Sequence, residues 1–253
     1  MSKKTEQRRL QIRKLVVTNG SMKVSQLADT FHVTRETIRT DLRDLEAHGL
    51  IVRSHGSAER TTLSGEVPIE YRQIQQADIK KIMARSVIEL IPNHSLIYMD
   101  ASTSVLEAGR LLPLKKDLTI YTNSLVLTSV LKDTPHKVYL LGGRYFAQGE
   151  RTVGSQTQEA VKDIYFDVCL LGADAVNLHN GVLTGSLEEK ELLKTVVHHS
   201  ALRILTADAS KTKHAASYQY AEQSDFDYFV TTELDADIYA QLKFQHMIET
   251  MKE

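Results

Sequence analysis

The sequence predicts an α/β protein in two parts, a small helical domain that ends in a hairpin and a larger domain with a mainly parallel sheet. Residues 6–58 carry three short helical patterns followed by strand and turn residues. From about residue 76, apolar strands alternate with amphipathic helices, which is typical of a parallel sheet covered by helices. The residues between are polar and include Gly65 and Pro68. We therefore assign residues 1–58 to the small domain, 59–75 to a linker and 76–253 to the large domain.

The composition is that of a soluble globular protein, with 42% hydrophobic and 25% charged residues. No run approaches the roughly 18 to 20 apolar residues that would span a bilayer. The first residues are charged and no apolar stretch follows them, so we expect no secretory signal. Cys169 is the single cysteine, which excludes an internal disulfide and a cysteine-based zinc cluster. We expect a cytoplasmic protein that does not associate with membranes.

Charge is unevenly distributed along the chain. Residues 1–60 contain 12 Lys and Arg against 7 Asp and Glu, a net charge of +5, whereas the rest of the chain has a net charge of −6. A basic segment on an acidic body indicates a nucleic-acid partner. A solvated basic surface without a partner is the alternative reading of this feature.

The three helices of the small domain are predicted from apolar spacing and from capping residues. We expect Ser25 to cap the second helix and Thr34 the third, because each hydroxyl can accept a hydrogen bond from a free amide of the first turn. Asn19-Gly20 ends the first helix and His48-Gly49 the third. The predicted buried faces consist of Ile12, Leu15 and Val16, then Leu27, Ala28 and Phe31, and then Ile38, Leu42 and Leu45.

The second and third helices form a predicted helix-turn-helix, and the strand at Leu50–Arg53 with the turn at His55–Ser57 predicts a wing behind it. The face of the third helix opposite its apolar residues is rich in Arg and Thr, which suits base edges and phosphates in the major groove. An amphipathic helix without DNA contacts is the alternative. The candidate DNA-binding residues are Thr34, Arg35, Glu36, Thr37, Arg39, Thr40, Arg43, Arg53 and His55.

The large domain contains six predicted strands and four predicted helices. The strands are Leu96–Met99, Leu118–Tyr121, Val138–Leu141, Val168–Leu171, Leu202–Thr206 and Phe226–Val230. The helices are Val105–Leu112, Ser124–Lys132, Gln156–Ile164 and Leu187–Ser200.

Small, polar or charged residues follow five of these strands, and in an open α/β sheet ligands bind beyond the carboxyl ends of the strands. The loop at Ser102–Ser104 offers hydroxyls and amides at a helix N-terminus, which suits a phosphate. Two lysines supply opposing charge, and aspartates can accept hydrogen bonds from sugar hydroxyls, although each aspartate is equally suited to capping a helix or a turn. The candidate ligand-binding residues are Asp100, Ser102, Thr103, Ser104, Asn123, Gly142, Gly143, Asp174, Lys194, Asp208 and Lys211.

Motifs along nearly the whole chain carry a resemblance to a known family. Val33–Leu42, Leu45-Glu46, Gly49-Leu50 and Arg53–Ala58 resemble the DNA-binding signature of the DeoR family of bacterial regulators. The motifs of the large domain that are similar to the family's sensor domain are Asp100, Tyr121–Ser124, Leu141–Gly143, Gly154, Phe166-Asp167, Gly172–Asp174, Gly181, Leu187–Glu189 and Ala207–Lys211.

The resemblance implies a winged helix-turn-helix followed by a sensor domain with a fold like that of ribose-phosphate isomerases. It implies a repressor of carbohydrate-metabolism genes that binds a double-stranded DNA operator and responds to a phosphorylated sugar, without a cofactor. Because helix-turn-helix dimers read paired half-sites, we also expect a homo-oligomer, either a dimer or a tetramer. The sequence departs from the family pattern at Thr40, Ser57, Ser102 and Leu193, which stand where arginine, glycine, glycine and a basic residue are usual.

Two other functions would fit parts of the sequence. A sugar-phosphate isomerase with an N-terminal extension could use Asp174, Glu189 or Asp208 as a general base, but an isomerase has no use for a helix-turn-helix. A metal-dependent regulator is disfavoured because His198 and His199 point about 100° apart on a helix and no cluster has ligand spacing. We therefore expect no catalytic residue and no metal site, and we place Cys169 in the core.

Overall fold

The chain folds into two compact units, Met1–Gln75 and Gln76–Glu253. They are seen in a computed structural model that describes residues 3–54, 56–59 and 66–250. The predicted candidate His55 and the part of the predicted linker at 60–65 therefore lie outside the described residues.

The N-terminal unit is a helix-turn-helix, as predicted, and the predicted hairpin is part of a small three-stranded sheet. Its sheet is antiparallel with the strand order β1-β3-β2. Ile12, Leu27, Ile38 and Leu45 are fully buried, so the predicted apolar faces meet in one core. The elements are α1 (Lys3–Asn19), β1 (Ser21–Lys23), α2 (Val24–Phe31), α3 (Arg35–Ala47), β2 (Val52–Ser54), β3 (Ser57–Glu59) and α4 (Ile69–Ile74).

The two predicted helix caps have different outcomes. Thr34 caps α3 as predicted, because its Oγ1 accepts a hydrogen bond from the Thr37 amide at 3.1 Å. The prediction for Ser25 is wrong, since α2 begins at Val24 directly after the short strand β1. Gln26 provides the side-chain contact at the start of this helix instead, because its Oε1 accepts a hydrogen bond from the Lys23 amide at 3.0 Å. The sequence gives no sign of β1, because its partner β3 lies more than thirty residues away.

The segment predicted as a linker is partly helical. Helix α4 spans Ile69–Ile74, and its Ile69 and Tyr71 are buried, with Tyr71 in the N-terminal core. Part of the stretch that the sequence assigned to the linker thus has regular structure. Six residues, three of them apolar, are too few to show a helical period in the sequence.

The second unit is built on a seven-stranded sheet with the order β15-β14-β12-β9-β4-β5-β6. Every neighbouring pair in this sheet is parallel. The chain starts in the middle at β4, extends through β5 and β6 on one side, and continues from β9 on the other. Its seven strands are β4 (Leu96–Met99), β5 (Thr119–Thr122), β6 (Lys137–Leu140), β9 (Phe166–Leu171), β12 (Ser200–Thr206), β14 (Tyr228–Thr232) and β15 (His246–Thr250).

Helices cover the sheet and short antiparallel strands complete the unit. Strands β7 and β8 pair with each other, and β10, β11 and β13 form a three-stranded sheet. The short strands are β7 (Arg144–Phe146), β8 (Arg151–Val153), β10 (Ala175–Asn177), β11 (Gly181–Thr184) and β13 (Tyr218–Ala221). The helices are α5 (Ala77–Leu90), α6 (Thr103–Gly109), α7 (Leu125–Leu131), α8 (Ser155–Glu159), α9 (Leu187–His198) and α10 (Ala236–Tyr239).

All six predicted strands are present, and two cores lie on the faces of the sheet. Met83, Val87 and Ile97 belong to one core, and Tyr98 and Cys169 to the other. Burial raises the pKa of the Cys169 thiol to about 12, so it stays protonated in the core as predicted. The predicted helix at Gln156–Ile164 is shorter than expected and ends at Glu159.

Candidate functional site

The exposed face of α3 carries an ion-paired group of side chains. Arg43 Nη2 lies 2.9 Å from one oxygen of Glu36, and Arg39 Nη1 lies 3.2 Å from the other. The hydrogen bonds from Arg43 and Arg39 lower the pKa of the Glu36 carboxyl. All three side chains are more than half exposed. They are therefore accessible to a macromolecule that lies along α3.

The wing is tied to α3 by a second carboxylate. Glu46 accepts two hydrogen bonds from Arg53 on β2, from Nε at 2.5 Å and from the backbone amide at 3.1 Å. These bonds lower the pKa of the Glu46 carboxyl. An open groove of about 440 Å³ lies between α3 and the wing, and its lining includes Arg39, Glu46, Arg53 and Gly56.

The other predicted DNA-binding residues sit at the start and along the outer face of α3. Thr34, Arg35 and Thr40 are exposed, and Thr37 is half-buried beside Thr34, with their hydroxyl oxygens 2.9 Å apart. The structure thus brings eight of the nine predicted residues to one side of the unit around α3 and β2. The ninth, His55, is not described.

A buried ion-pair network lies behind α3 and was missed from the sequence. Asp41 is 1% exposed and its carboxylate binds Arg8 Nε at 2.6 Å and Arg9 Nε at 2.9 Å, both on α1. Asp44 binds Arg9 Nη1 at 2.6 Å and accepts a hydrogen bond from the Tyr71 hydroxyl at 2.6 Å. Burial, followed by the hydrogen bond with Asp44, raises the pKa of Tyr71. The network joins α1, α3 and α4 into one body.

The second unit places its first candidate, Asp100, at the point where the order of strands along the sheet reverses direction. Asp100 follows β4 and is buried, and its oxygens accept hydrogen bonds from the Ser102 amide at 2.8 Å and the Gly172 amide at 2.7 Å. Gly172 follows β9, the other strand at this switch point, where ligands of open α/β sheets bind. A Cβ on Gly172 would lie 2.3 Å from the Ser102 oxygen, so only glycine fits here. Burial raises the pKa of the Asp100 carboxyl.

The candidates at the start of α6 have different environments. The Ser102 hydroxyl accepts a hydrogen bond from the Val105 amide at 3.3 Å, so Ser102 is the N-cap of this helix. Thr103 and Ser104 are both buried in its first turn. Ser102 is half-buried and lies beside Gly172, at the edge of the sheet where the ligand is predicted.

A network of polar side chains holds the loop after β5 in place. The Asn123 amide group donates to the Thr152 carbonyl at 3.0 Å and to Glu189 Oε1 at 3.3 Å, and its oxygen accepts from the Tyr98 hydroxyl at 3.3 Å. Glu189 also pairs with Arg151 at 2.8 Å, and that arginine is 2% exposed. This buried polar chain was not predicted. Its members come from four separate elements, so no local pattern could reveal it.

Gly142 and Gly143 follow β6 at the same edge of the sheet. The Gly142 carbonyl accepts a hydrogen bond from Thr157 Oγ1 at 2.7 Å. Gly143 has a φ of 142°, and a Cβ there would lie 2.8 Å from the Val153 carbonyl oxygen. The close approach of β8 to this loop therefore requires glycine at position 143. In this structure both Gly142 and Gly143 help to hold the loop in place.

Two aspartates follow β9 and β12. Asp174 Oδ2 accepts a hydrogen bond from the Gly185 amide at 2.7 Å, and Asp208 Oδ1 accepts one from the Ser210 amide at 3.0 Å. Each aspartate thus accepts a hydrogen bond from a nearby backbone amide, which is the capping or turn role that the sequence analysis gave as the alternative to binding sugar hydroxyls. Lys211 is half-buried on a short 3₁₀ helix at Ala209–Lys213. Burial and the nearby Lys211 charge lower the pKa of His214, which the sequence did not single out.

One candidate stands apart from this group. Lys194 is exposed on α9, and within the described part of the chain no hydrogen bond or ion pair joins it to another candidate. The remaining candidates share one edge of the sheet because they follow parallel strands, at which ligands enter open α/β folds.

Membrane spans and metal clusters are both absent from the described residues. No helix among these residues has the length and apolarity to cross a membrane. Over the same part of the chain, no group of three or more His, Cys, Asp or Glu side chains is placed to hold a metal ion.

Comparison with known families matches both units of the chain. Residues 8–63 match the DeoR-like helix-turn-helix domain, and residues 75–233 match the DeoR C-terminal sensor domain. The second match alone covers more than half of the chain.

Individual proteins match over most of their length. The chain is 32% identical to the HTH-type transcriptional regulator GlpR of Haloferax volcanii, over 91% of both chains. It is 28% identical to the glycerol-3-phosphate regulon repressor of Escherichia coli strain K12, over 82% of this chain and 83% of that protein. It is 26% identical to the HTH-type transcriptional repressor GlcR of Bacillus subtilis strain 168, over 97% and 95%. Among solved structures, ribose 5-phosphate isomerase A of Neisseria gonorrhoeae aligns over 54% and 53% with 21% identity and a TM-score of 0.40.

Proposed function

Because the chain belongs to the DeoR family of DNA-binding transcriptional regulators, we propose that it is a repressor of carbohydrate-metabolism genes controlled by a phosphorylated sugar. The observation that carries the proposal is the pairing of a DeoR-like helix-turn-helix with a DeoR sensor domain in one chain. The relatives named above are a regulator and two repressors, one of them of a glycerol-3-phosphate regulon.

The DNA-binding half of the proposal assigns α3 to the major groove. Arg39 and Arg43 project from its exposed face, and guanidinium groups fork onto guanine or hold phosphates. Arg53 on the wing then lies over the adjoining backbone. We propose a homo-oligomer that binds two half-sites about one helical turn, or a multiple of it, apart.

We expect Arg43→Ala to weaken operator binding by about 1–3 kcal/mol, roughly 5- to 150-fold, if it reads a guanine. If it holds a phosphate instead, binding should weaken on every duplex, and the slope of log K against log salt should flatten by about 0.9. Fluorescence anisotropy on duplexes selected from a random pool, at several salt concentrations, measures both quantities. Lys14→Ala on α1 removes the same charge from an exposed position outside the helix-turn-helix and is the matched control. Equal losses in the two variants would count against the assignment of α3.

The sensor half of the proposal places a phosphorylated sugar at the carboxyl edge of the sheet. Its phosphate would lie beside Ser102 at the start of α6, with Lys211 as the counter-charge, and its hydroxyls near Asp174 and Asp208. Supporting this placement, Ser102 is beside the switch point and Lys211 follows Asp208 on the same edge. The departure from the family pattern at Ser102 puts a hydroxyl at the phosphate position.

We expect Lys211→Ala to weaken binding of the sugar phosphate by about 1.5–3 kcal/mol, roughly 10- to 150-fold, because a charge-assisted hydrogen bond is lost. Isothermal titration calorimetry with a panel of sugar phosphates and their free sugars tests this. Lys213→Ala removes a neighbouring exposed lysine, which pairs with Asp235 at 2.9 Å, and is the control. Equal affinity for phosphorylated and free sugars would contradict the proposed phosphate site.

A turnover assay with the same sugar phosphates separates the regulator from an isomerase. Each of the three carboxylates that could act as a general base is already engaged: Asp174 by the Gly185 amide, Asp208 by the Ser210 amide and Glu189 by Arg151. This engagement supports a binding role. Conversion of the bound sugar phosphate into an isomer, followed by chromatography, would support the enzyme instead.

A further inference from the structure

Three of the four arginines on α3 and the wing are paired with carboxylates of the same unit. Glu36 holds Arg39 and Arg43, and Glu46 holds Arg53. Both glutamates lie on α3, ten residues apart, which is about 15 Å along the helix. These two carboxylates offset part of the positive charge on the surface that is proposed to face DNA, to which the exposed Arg35 adds a fourth arginine.

The geometry at Glu46 is that of an anion held in place of a phosphate. Its two oxygens accept from Arg53 Nε at 2.5 Å and from the Arg53 backbone amide at 3.1 Å. A phosphate oxygen pair would use the same two donors, since guanidinium and backbone amide groups are the usual partners of DNA phosphates. Glu46 also lines the open groove between α3 and the wing, as does Arg39.

We propose that Glu46 and Glu36 are internal competitors of DNA phosphates, which must be displaced before Arg53, Arg39 and Arg43 can bind the DNA backbone. This inference rests on the proposed DNA-binding function and adds to it two residues that limit affinity for duplexes of any sequence. Both carboxylates can leave, because Glu36 is 62% and Glu46 37% exposed. Sequence-independent DNA binding is supplied by phosphate contacts, so these residues keep the regulator from being retained on non-operator DNA.

The test compares Glu46→Gln, Glu36→Gln and the double variant in the full-length protein. Glutamine keeps the volume and one hydrogen-bond acceptor but removes the competing charge. Each single variant should bind a random-sequence duplex about 2- to 5-fold more tightly, the range for an exposed ion pair. The two effects should multiply, because the sites are more than about 10 Å apart.

A matched control separates competition from a change in net charge. Asp29→Asn removes one negative charge from an exposed position on α2 that makes no ion pair among the described residues. It should change affinity less than either glutamate variant. In an Arg53→Ala background, Glu46→Gln should lose most of its effect, because no guanidinium remains to be released.

The sign of the change decides between competition and other roles. A Glu46→Gln variant that binds DNA equally or more weakly would overturn the proposal, and weaker binding would indicate that the ion pair positions the wing. A Glu36→Gln variant that loses only operator affinity would mean that Glu36 reads a base. If the wild-type protein binds no duplex at all, the proposed function itself fails, which is a separate result.

Discussion

Replacing Asp41 by alanine is expected to destabilise the N-terminal unit by about 3–5 kcal/mol, the cost of removing one partner from a buried ion pair. Asp41 is 1% exposed and binds both Arg8 and Arg9, and Arg9 is itself buried. Without the carboxylate, the guanidinium groups of Arg8 and Arg9 lose their common partner, and that of Arg9 is buried. Folded domains are stable by only about 5–15 kcal/mol in total, so this is a large share.

Urea denaturation followed by circular dichroism measures the loss, and duplex binding reports whether the unit still folds. For a domain of this size, a loss of about 3 kcal/mol lowers Tm by roughly 12–24 °C. Asp41→Asn keeps the shape and one acceptor oxygen, so we expect a smaller loss than for alanine. Asp29→Asn, an exposed control in the same unit, should stay within about 0.5 kcal/mol of wild type. An Asp41→Ala variant as stable as the control would show that the network contributes nothing.

Asp100→Ala is expected to cost about 2–5 kcal/mol in the sensor unit and to weaken binding of the sugar phosphate. The Asp100 carboxylate satisfies the Ser102 and Gly172 amides, and a buried amide left without an acceptor costs about 1–3 kcal/mol. The loops that follow β4 and β9 are held together by this side chain. Losing it should loosen the edge at which the ligand is proposed to bind.

The pH dependence of stability gives a second readout for Asp100. Burial raises the pKa of this carboxyl, so folding favours its protonated form. The stability that this contributes is present below about pH 3.9, the ordinary value, and is lost as pH rises through the raised value of the folded state. The advantage of wild type over Asp100→Asn should therefore be largest at acidic pH and shrink as pH rises. A difference that does not change with pH, or equal stability of Asp100→Ala and the exposed control Asp237→Asn, would contradict this account.

The sequence alone determined the elements whose signal is local. The apolar positions of α3 and the Thr34 cap are read from neighbours within one or two turns, and both are confirmed. Six of the seven strands of the parallel sheet are short apolar runs that the sequence predicted, whereas β15 was missed. The family resemblance rests on such local motifs and is confirmed by the matches to both domains.

The tertiary structure decided the features that need partners distant in sequence. Strand β1 exists because β3 pairs with it, and α4 because Tyr71 reaches Asp44. Asp41 lies among the apolar positions of α3, a violation of the pattern that only the two arginines of α1 explain.

The candidate ligand site, too, was predicted from the sequence only in part, and the reason is physical. Residue types at strand ends indicated where a ligand would bind, because parallel strands end together. Which groups already have partners depended on contacts across the fold, such as Asp100 with Gly172, Asn123 with Glu189, and Arg53 with Glu46. Hydrogen bonds and ion pairs act over a few ångströms in space, whatever their separation along the chain, so only the folded structure could reveal them.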